Sequence, residues 1–383
     1  CYIPENEFRK LRTMIRMYRR VAGVGLALTM LVAGCGHSSS TSQGPATSST
    51  PVPSVATSST RAASATSQAA RDLPDPHTLR GLTEVPELPD PKPVEGSSAQ
   101  KLPVTVTDVE GNKVTIKSTS RILALDLYGT LSRTLIGLGL GDKIVGRTVS
   151  STEKQLHDRP VVTENGHVLN VEAVAGLKPS VIIADRSVGP KEALDQLRKS
   201  GIPVVLVDPH RSVGSTPQLI RTIADAVGKP DAGEALVKRT QEQIDQAKKQ
   251  IAAWKPAKPM RVAFLYVRGN AGVFFILGSE NGASELIQGV GADDVASDKG
   301  ITTLVPANAE SLVSINPDAI FVMRDGLAST GGMKGLLARA GVANTTAGRK
   351  QRVISIPDGI SLSFGPQTGE VLTAVAKALY GVK

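Results

Sequence analysis

The chain has 383 residues, 40% hydrophobic, 21% charged and only 3% aromatic, enough for one large or two medium domains whose cores are mostly aliphatic. Six basic and two acidic side chains in residues 1–34 account for +4 of the formal charge of +9; the other +5 is spread without a basic run, unlike the concentrated stripe of a nucleic-acid binder. Two cysteines, Cys1 and Cys35, both near the N-terminus, exclude a disulfide framework and a four-thiolate metal site.

Tyr18-Arg19-Arg20 precedes a nearly uncharged stretch over 21–31 rich in Val, Leu, Ala and Gly. A basic flank and an apolar stretch too short to span a bilayer comfortably mark a secretory signal. Leu31-Val32-Ala33-Gly34-Cys35 resembles the bacterial lipobox, which implies that Cys35 is lipidated; a membrane-anchoring helix that happens to carry a Cys is the alternative. Because the chain opens on Cys1, translation is expected to start at Met14 or Met17. Residues 36–70 hold one charge, Arg61, among Ser, Thr, Ala, Gln and Pro, too little apolar surface to offset chain entropy. The expectation is a lipoprotein signal over 1–34 and a flexible tether over 35–100, stiffened later by Pro74, Pro76, Pro86, Pro89, Pro91 and Pro93. Signal, lipid and tether imply a body held outside the cytoplasm on the cell membrane.

Two short alternating runs at 103–108 and 113–117 flank Glu110-Gly111-Asn112 and predict a hairpin. Apolar runs at 121–125, 180–184 and 203–207 alternate with helical stretches, the pattern of a mostly parallel sheet covered on both faces. A long helix is expected over 231–254, about 36 Å at 1.5 Å per residue. Strand and helix alternation resumes at 261–266, 272–277, 319–323 and 352–356. The body therefore divides into an N-terminal lobe over 101–229, a connecting helix over 230–255 and a C-terminal lobe over 256–383.

An internal repeat relates the lobes. Asn170-Val171-Glu172 and Asn308-Ala309-Glu310 each open a short amphipathic stretch that ends at Pro179 or Pro317 and leads into an apolar run. Each copy predicts an Asn N-cap, a Glu in the first turn and a buried strand. The fold class is thus α/β, two similar lobes joined by one long helix with a ligand cleft between them.

Lipobox, tether, paired lobes, single connecting helix and repeated Asn-x-Glu together resemble the substrate-binding lipoproteins that feed ABC importers of haem, cobalamin and ferric siderophores. The resemblance covers residues 101–383. It implies a rigid fold and no enzyme chemistry: a monomer that binds ligand in the cleft and docks with a permease and ATPase complex through one Glu on each lobe, here Glu172 and Glu310. A first-turn carboxylate that complements the helix dipole, worth about 0.3–1 kcal/mol, is the alternative for either Glu alone.

Within that class, Gly166-His167-Val168 and Tyr266-Val267-Arg268 resemble segments of the haem-binding lipoproteins of Gram-positive haem importers. The resemblance implies that His167 and Tyr266 are axial ligands to haem iron from opposite lobes, with Arg268 supporting Tyr266. Imidazole and phenolate hold ferric haem well; a phenol ordinarily ionises near pH 10 and a cation within hydrogen-bond reach favours the phenolate. Residues two apart in a strand share a face, so Tyr266 and Arg268 can share one environment. Phe274 and Phe275 are expected against the porphyrin. Ser363-Phe364-Gly365-Pro366 resembles a further loop of the haem proteins, with Gln367 where Arg is expected.

Other readings stay open at this level. Tyr266 can be a half-buried residue satisfied by Arg268, and His167 a loop residue bonded to its own helix. His37, His77, His157 and His210 form no ligand-spaced pair, unlike the sites of zinc-binding relatives. Gly137, Gly139 and Gly141 follow a helical stretch, which opposes a nucleotide loop. No G-x-S-x-G or H-E-x-x-H motif points to an enzyme. The alternatives to haem are a ferric siderophore bound through Arg268 and aromatic residues, or a non-transport lipoprotein that scaffolds the envelope.

Overall fold

The computed structural model describes residues 73–95, 99–164, 166–269 and 272–383. The signal segment, Cys35 and the Ser/Thr-rich stretch lie outside the described residues. Among those described, no helix is long and apolar enough to cross a membrane.

In chain order the elements are β1 (Leu82–Glu84), β2 (Val104–Thr107), β3 (Lys113–Ile116), β4 (Ile122–Leu125), α1 (Thr130–Gly137), β5 (Ile144–Gly146), β6 (Thr163–Glu164), β7 (Val168–Leu169), α2 (Val171–Gly176), β8 (Val181–Ala184), α3 (Lys191–Lys199), β9 (Val204–Leu206), α4 (Thr216–Ala226) and α5 (Pro230–Trp254). The second half holds β10 (Arg261–Arg268), β11 (Val273–Ile276), α6 (Ala283–Gly289), β12 (Asp293–Asp294), β13 (Val305–Pro306), α7 (Ala309–Ile315), β14 (Ala319–Met323), α8 (Arg324–Ser329), α9 (Gly332–Leu337), α10 (Thr346–Lys350), β15 (Val353–Ile356), α11 (Asp358–Ser361) and α12 (Thr368–Tyr380).

The N-terminal lobe is built on a four-stranded sheet in the order β5-β4-β8-β9, parallel throughout, with β2 and β3 as a separate antiparallel hairpin. Every residue of β4, β8 and β9 is buried, as continuous apolar strands covered on both faces must be. The C-terminal lobe has the order β1-β15-β14-β10-β11-β13, with β12 beside β10. Its centre is parallel, while β11 and β13 run antiparallel at one side. Phe264 and Phe321 meet edge to face at 6.5 Å in its core.

The repeat folds as the sequence predicts. Asn170 accepts from the Ala173 N–H at 2.9 Å and Asn308 from the Ser311 N–H at 2.8 Å, each satisfying an orphan donor of a helix start. Helices α2 and α7 then lead into the buried strands β8 and β14.

The tether expected over 35–100 does not continue to residue 100. Leu82–Glu84 pairs in parallel with β15 as an edge strand of the C-terminal lobe, and the segment that follows runs on to the other lobe. Arg324 donates to Glu87 at 2.7 Å, Asp90 accepts from the Lys154 and Gln155 N–H groups, Arg239 donates to the Lys92 carbonyl and the Val94 N–H donates to Gly137. Prolines remove backbone donors without removing acceptors, so a Pro-rich segment can still be bound by its carbonyls and its few carboxylates.

Helix α5 serves both cores: Ala232, Leu236 and Val237 pack in the N-terminal lobe, Ala247 and Ile251 in the C-terminal lobe. It lies against α12 at a close crossing, where a Cβ on Gly369 would stand 2.5 Å from the Gln243 backbone. Gly369→Ala is therefore expected to lower stability by about 1–3 kcal/mol through overpacking, read as a reduced urea midpoint. An unchanged midpoint would mean that the two helices can part at no cost.

Candidate functional site

The carboxyl ends of the strands of both sheets meet at one seam. Arg133, on the helix after β4, reaches residues that follow β15: Nη1 donates to Gln367 Oε1 at 2.7 Å and Nε to the Gly359 carbonyl at 3.3 Å. The Val213 N–H, after β9, donates to Glu285 at 3.2 Å. Open α/β sheets bind ligands at this edge of their strands.

Tyr266 and Arg268 lie in the last part of β10. The strand alternates there, Val267 buried and its two neighbours half-exposed, so both side chains occupy one face. Tyr266 packs against the core cluster that contains Ile360, Leu362 and Phe364. The arginine does not lie beside the hydroxyl as the sequence suggests. Its Cζ stands over the ring, 5.1 Å from the centroid, and Nη2 donates to Asp358 at 2.5 Å and to Met323 Sδ at 3.3 Å. A cation over an aromatic face is attracted by the ring quadrupole. Burial raises the Asp358 carboxyl above the usual range, opposed by the Arg268 charge.

Phe275 is the direct cross-strand partner of Tyr266 and is half-buried, on the same face. Phe274 is not: it is buried in a second C-terminal core cluster, with the Arg339 guanidinium 5.6 Å from its ring. Strand alternation sends neighbours to opposite faces, so only one phenylalanine of the pair can face a ligand beside Tyr266.

His167 is half-buried in the turn between β6 and β7. That turn is tied to the segment after β8, where the Gly189 N–H donates to the His167 carbonyl at 2.9 Å and the Leu169 N–H to the Gly189 carbonyl at 2.6 Å. The turn that carries His167 therefore belongs to the carboxyl edge of the N-terminal sheet, and Tyr266 to that of the C-terminal sheet. Glu172 and Glu310 are exposed in the first turns of α2 and α7. Gln367 is buried, accepting from Arg133 and donating to the Pro89 carbonyl and Glu370, both at 2.9 Å; it is a seam residue.

A cluster not anticipated from the sequence stands at the ends of β4, β8 and β9. Asp126 and Asp185 are fully buried around Arg211, whose Nη2 bonds Asp185 directly and lies 3.7 Å from Asp126. Arg211 also covers the Tyr128 ring at 5.5 Å, so each lobe presents one arginine stacked on one tyrosine. Burial, with Asp185 nearby, pushes the Tyr128 hydroxyl up to about 12, and it stays a phenol. The separation of the three residues in sequence, from 126 to 211, hides the cluster; only the shared sheet edge brings them together.

A hollow of about 810 Å³ bounded by the segment around β1, α5 and α12 shares no lining residue with His167, Tyr266 or Arg268. The candidate site is the seam, not that hollow.

The chain belongs to the periplasmic binding protein family, whose model matches residues 127–359. It is a substrate-binding protein and not an enzyme. The crystal structure of the heme binding protein HmuT is 49% identical, covers 81% of this chain and 100% of its own, and superposes with a TM-score of 0.79. HmuT has also been solved with single Ala replacements of a histidine, a tyrosine and an arginine. The periplasmic heme-binding protein RhuT from Roseiflexus sp. RS-1, in apo form, is 32% identical, covers 69% of this chain and 99% of its own, and has a TM-score of 0.65. YvrC of Bacillus subtilis (strain 168), an uncharacterized ABC transporter substrate-binding lipoprotein, is 27% identical over 73% of this chain and 86% of its own length.

The acid pair has a measurable consequence. Burial first, then the mutual repulsion with Asp185, raises Asp126 from 3.8 to about 7, and Asp185 is raised as well. With one guanidinium between two carboxyl groups, the cluster holds a proton near neutral pH. A carboxyl that takes up a proton on folding contributes stability below its unfolded pKa, and loses it as pH rises through the folded one. Asp126→Asn should therefore flatten the fall in stability between about pH 4 and about pH 7, where one proton accounts for at most about 1.4 kcal/mol per pH unit. Urea midpoints across that range would run parallel in the two proteins if the pair held no proton.

Proposed function

We propose that this chain captures haem outside the cytoplasm and delivers it to an ABC importer, with His167 and Tyr266 as axial ligands to the iron from opposite lobes. One observation carries the reading: Tyr266 and Arg268 share a face at the carboxyl edge of one lobe, and His167 belongs to that edge of the other. The comparison with HmuT supports it. The histidine and the tyrosine replaced in that protein are as many residues apart as His167 and Tyr266, and its arginine follows the tyrosine by two, as Arg268 does here.

The donor set suits ferric haem. A neutral imidazole and a phenolate oxygen both bind iron(III), and the hydroxyl of Tyr266 makes no hydrogen bond to the described residues that a ligand would have to break. Phe275 offers apolar surface on the same face. A ferric siderophore would instead need the Arg268 guanidinium as a partner for its anionic groups, and that guanidinium is held by Asp358. A scaffold role leaves the aligned tyrosine and arginine unexplained. Glu172 and Glu310 are the docking carboxylates for the permease and its ATPase, Cys35 carries the lipid that anchors the chain to the membrane, and the protein acts as a monomer.

Titration of the chain with haemin and with a ferric siderophore, followed by absorbance, tests the ligand. Haemin is expected to give a saturable bound spectrum that changes in both Tyr266→Phe and His167→Ala, with affinity lower by on the order of tenfold or more, about 1.4 kcal/mol. A Tyr266→Phe protein with unaltered spectrum and affinity would overturn the ligand assignment.

Docking is tested separately. The double variant Glu172→Ala with Glu310→Ala should bind haemin as the wild type does and fail in uptake. Both side chains are exposed, so folding stability should change by no more than about 0.5 kcal/mol. Uptake at the wild-type rate would remove the docking role.

A further inference from the structure

A long side chain that is about one-third exposed keeps a single pose only if something compensates the rotamer freedom it gives up. Arg268 is such a side chain, its exposure 32%. The ring of Tyr266 on one side is a weak restraint by itself, worth about a factor of two to thirty at such a site. The firmer restraint is Asp358, at the first position of α11. One of its carboxylate oxygens accepts from Arg268 Nη2 at 2.5 Å, and the other accepts from the Asp325 N–H at 2.8 Å. With both oxygens engaged, one by a backbone group, the carboxylate is itself fixed in place. Met323 Sδ accepts from the same Nη2 at 3.3 Å. On the far side a Cβ on Gly326 would stand 2.4 Å from Arg268 Nη1, so the guanidinium lies in a space that only glycine leaves open. Three elements, β14, α8 and α11, thus form a socket for the one guanidinium.

We propose that Asp358 is a positioning residue that holds Arg268 over the Tyr266 ring, and through that cation sets how firmly the tyrosine oxygen grips ferric haem. The proposal rests on the haem reading above and adds to it. A phenolate bound to iron spreads negative charge into its ring, and a cation fixed over the ring face stabilises that charge. Left without Asp358, the guanidinium would turn to water or to the carboxylates of the ligand. Asp358 follows Tyr266 at a distance of 92 positions in the chain, and its carboxylate bonds Arg268 and the Asp325 N–H; its effect on the tyrosine passes through Arg268.

Haemin titrations of the full chain test this, with Asp358→Ala, Asp358→Asn, Arg268→Ala, the double variant Asp358→Ala with Arg268→Ala, and Tyr266→Phe. Affinity, the ferric-haem absorbance spectrum and the reduction potential of the bound haem are read for each. Asp358→Ala is expected to weaken binding by about tenfold or less and to move spectrum and potential in the same direction as Arg268→Ala. The double variant should match Arg268→Ala alone, because the carboxylate has nothing left to position. Asp358→Asn, which retains an acceptor oxygen, should fall between wild type and Asp358→Ala, and it carries the same comparison if the alanine variant does not fold. A wild-type spectrum and affinity in both Asp358 variants, or losses that add fully in the double variant, would overturn the positioning role and leave the haem reading standing. Tyr266→Phe without effect would overturn both.

Discussion

The guanidinium of Arg133 is buried between the lobes and has to be satisfied from both. It draws on Glu153 at 3.5 Å in its own lobe, and on Gln367 and the Gly359 carbonyl in the other. Removing one partner of a buried charge costs far more than an exposed pair gains, so the two sheet edges cannot separate there without stranding it. Helix α5, shared between both cores, and the segment that passes from β1 to the N-terminal lobe act in the same sense. The gap across which a ligand lies is therefore set by the packing of the protein before any ligand arrives.

That constraint explains why Gln367 stands where the resemblance to haem proteins leads one to expect arginine. A second guanidinium facing Arg133 would remove its acceptor and add a like charge. The neutral amide accepts from Arg133 with one end and donates to Pro89 and Glu370 with the other. Each lobe then offers its own tyrosine under an arginine, but with different electrostatics. In the N-terminal lobe two buried carboxyl groups hold Arg211, and burial, with Asp185 nearby, keeps Tyr128 a neutral phenol. In the C-terminal lobe a single, partly exposed carboxylate holds Arg268, and the cation is left to act on Tyr266. The asymmetry fits the proposed haem, whose iron one tyrosine and one histidine would hold.

Much of the architecture was legible because it is local. Continuous apolar runs marked β4, β8, β14 and β15, the Asn-x-Glu repeat marked both capped helices, and a two-residue spacing placed Tyr266 and Arg268 on one face. What escaped depends on distant partners. Strand β1 is three residues of Leu-Thr-Glu, mostly exposed, and exists through its pairing with β15; no pattern in 82–84 announces it. Phe274 and Phe275 were both expected against the porphyrin, whereas strand alternation leaves only Phe275 on the face of Tyr266 and buries Phe274 in the other cluster. Asp358 and the trio of Asp126, Asp185 and Arg211 are joined only by the way the strands end on one edge, and the pose of Arg268 over the ring, not beside the hydroxyl, follows from Asp358.

A cleft whose width is already set keeps that width when a ligand enters. Ala175 and Val313 occupy equivalent exposed positions on α2 and α7, the crowns of the two lobes, and spin labels there report the separation directly by electron double resonance. One narrow distance distribution is expected, unchanged within about 2 Å when haemin is added. A broad distribution without ligand, or a larger shift on binding, would contradict it.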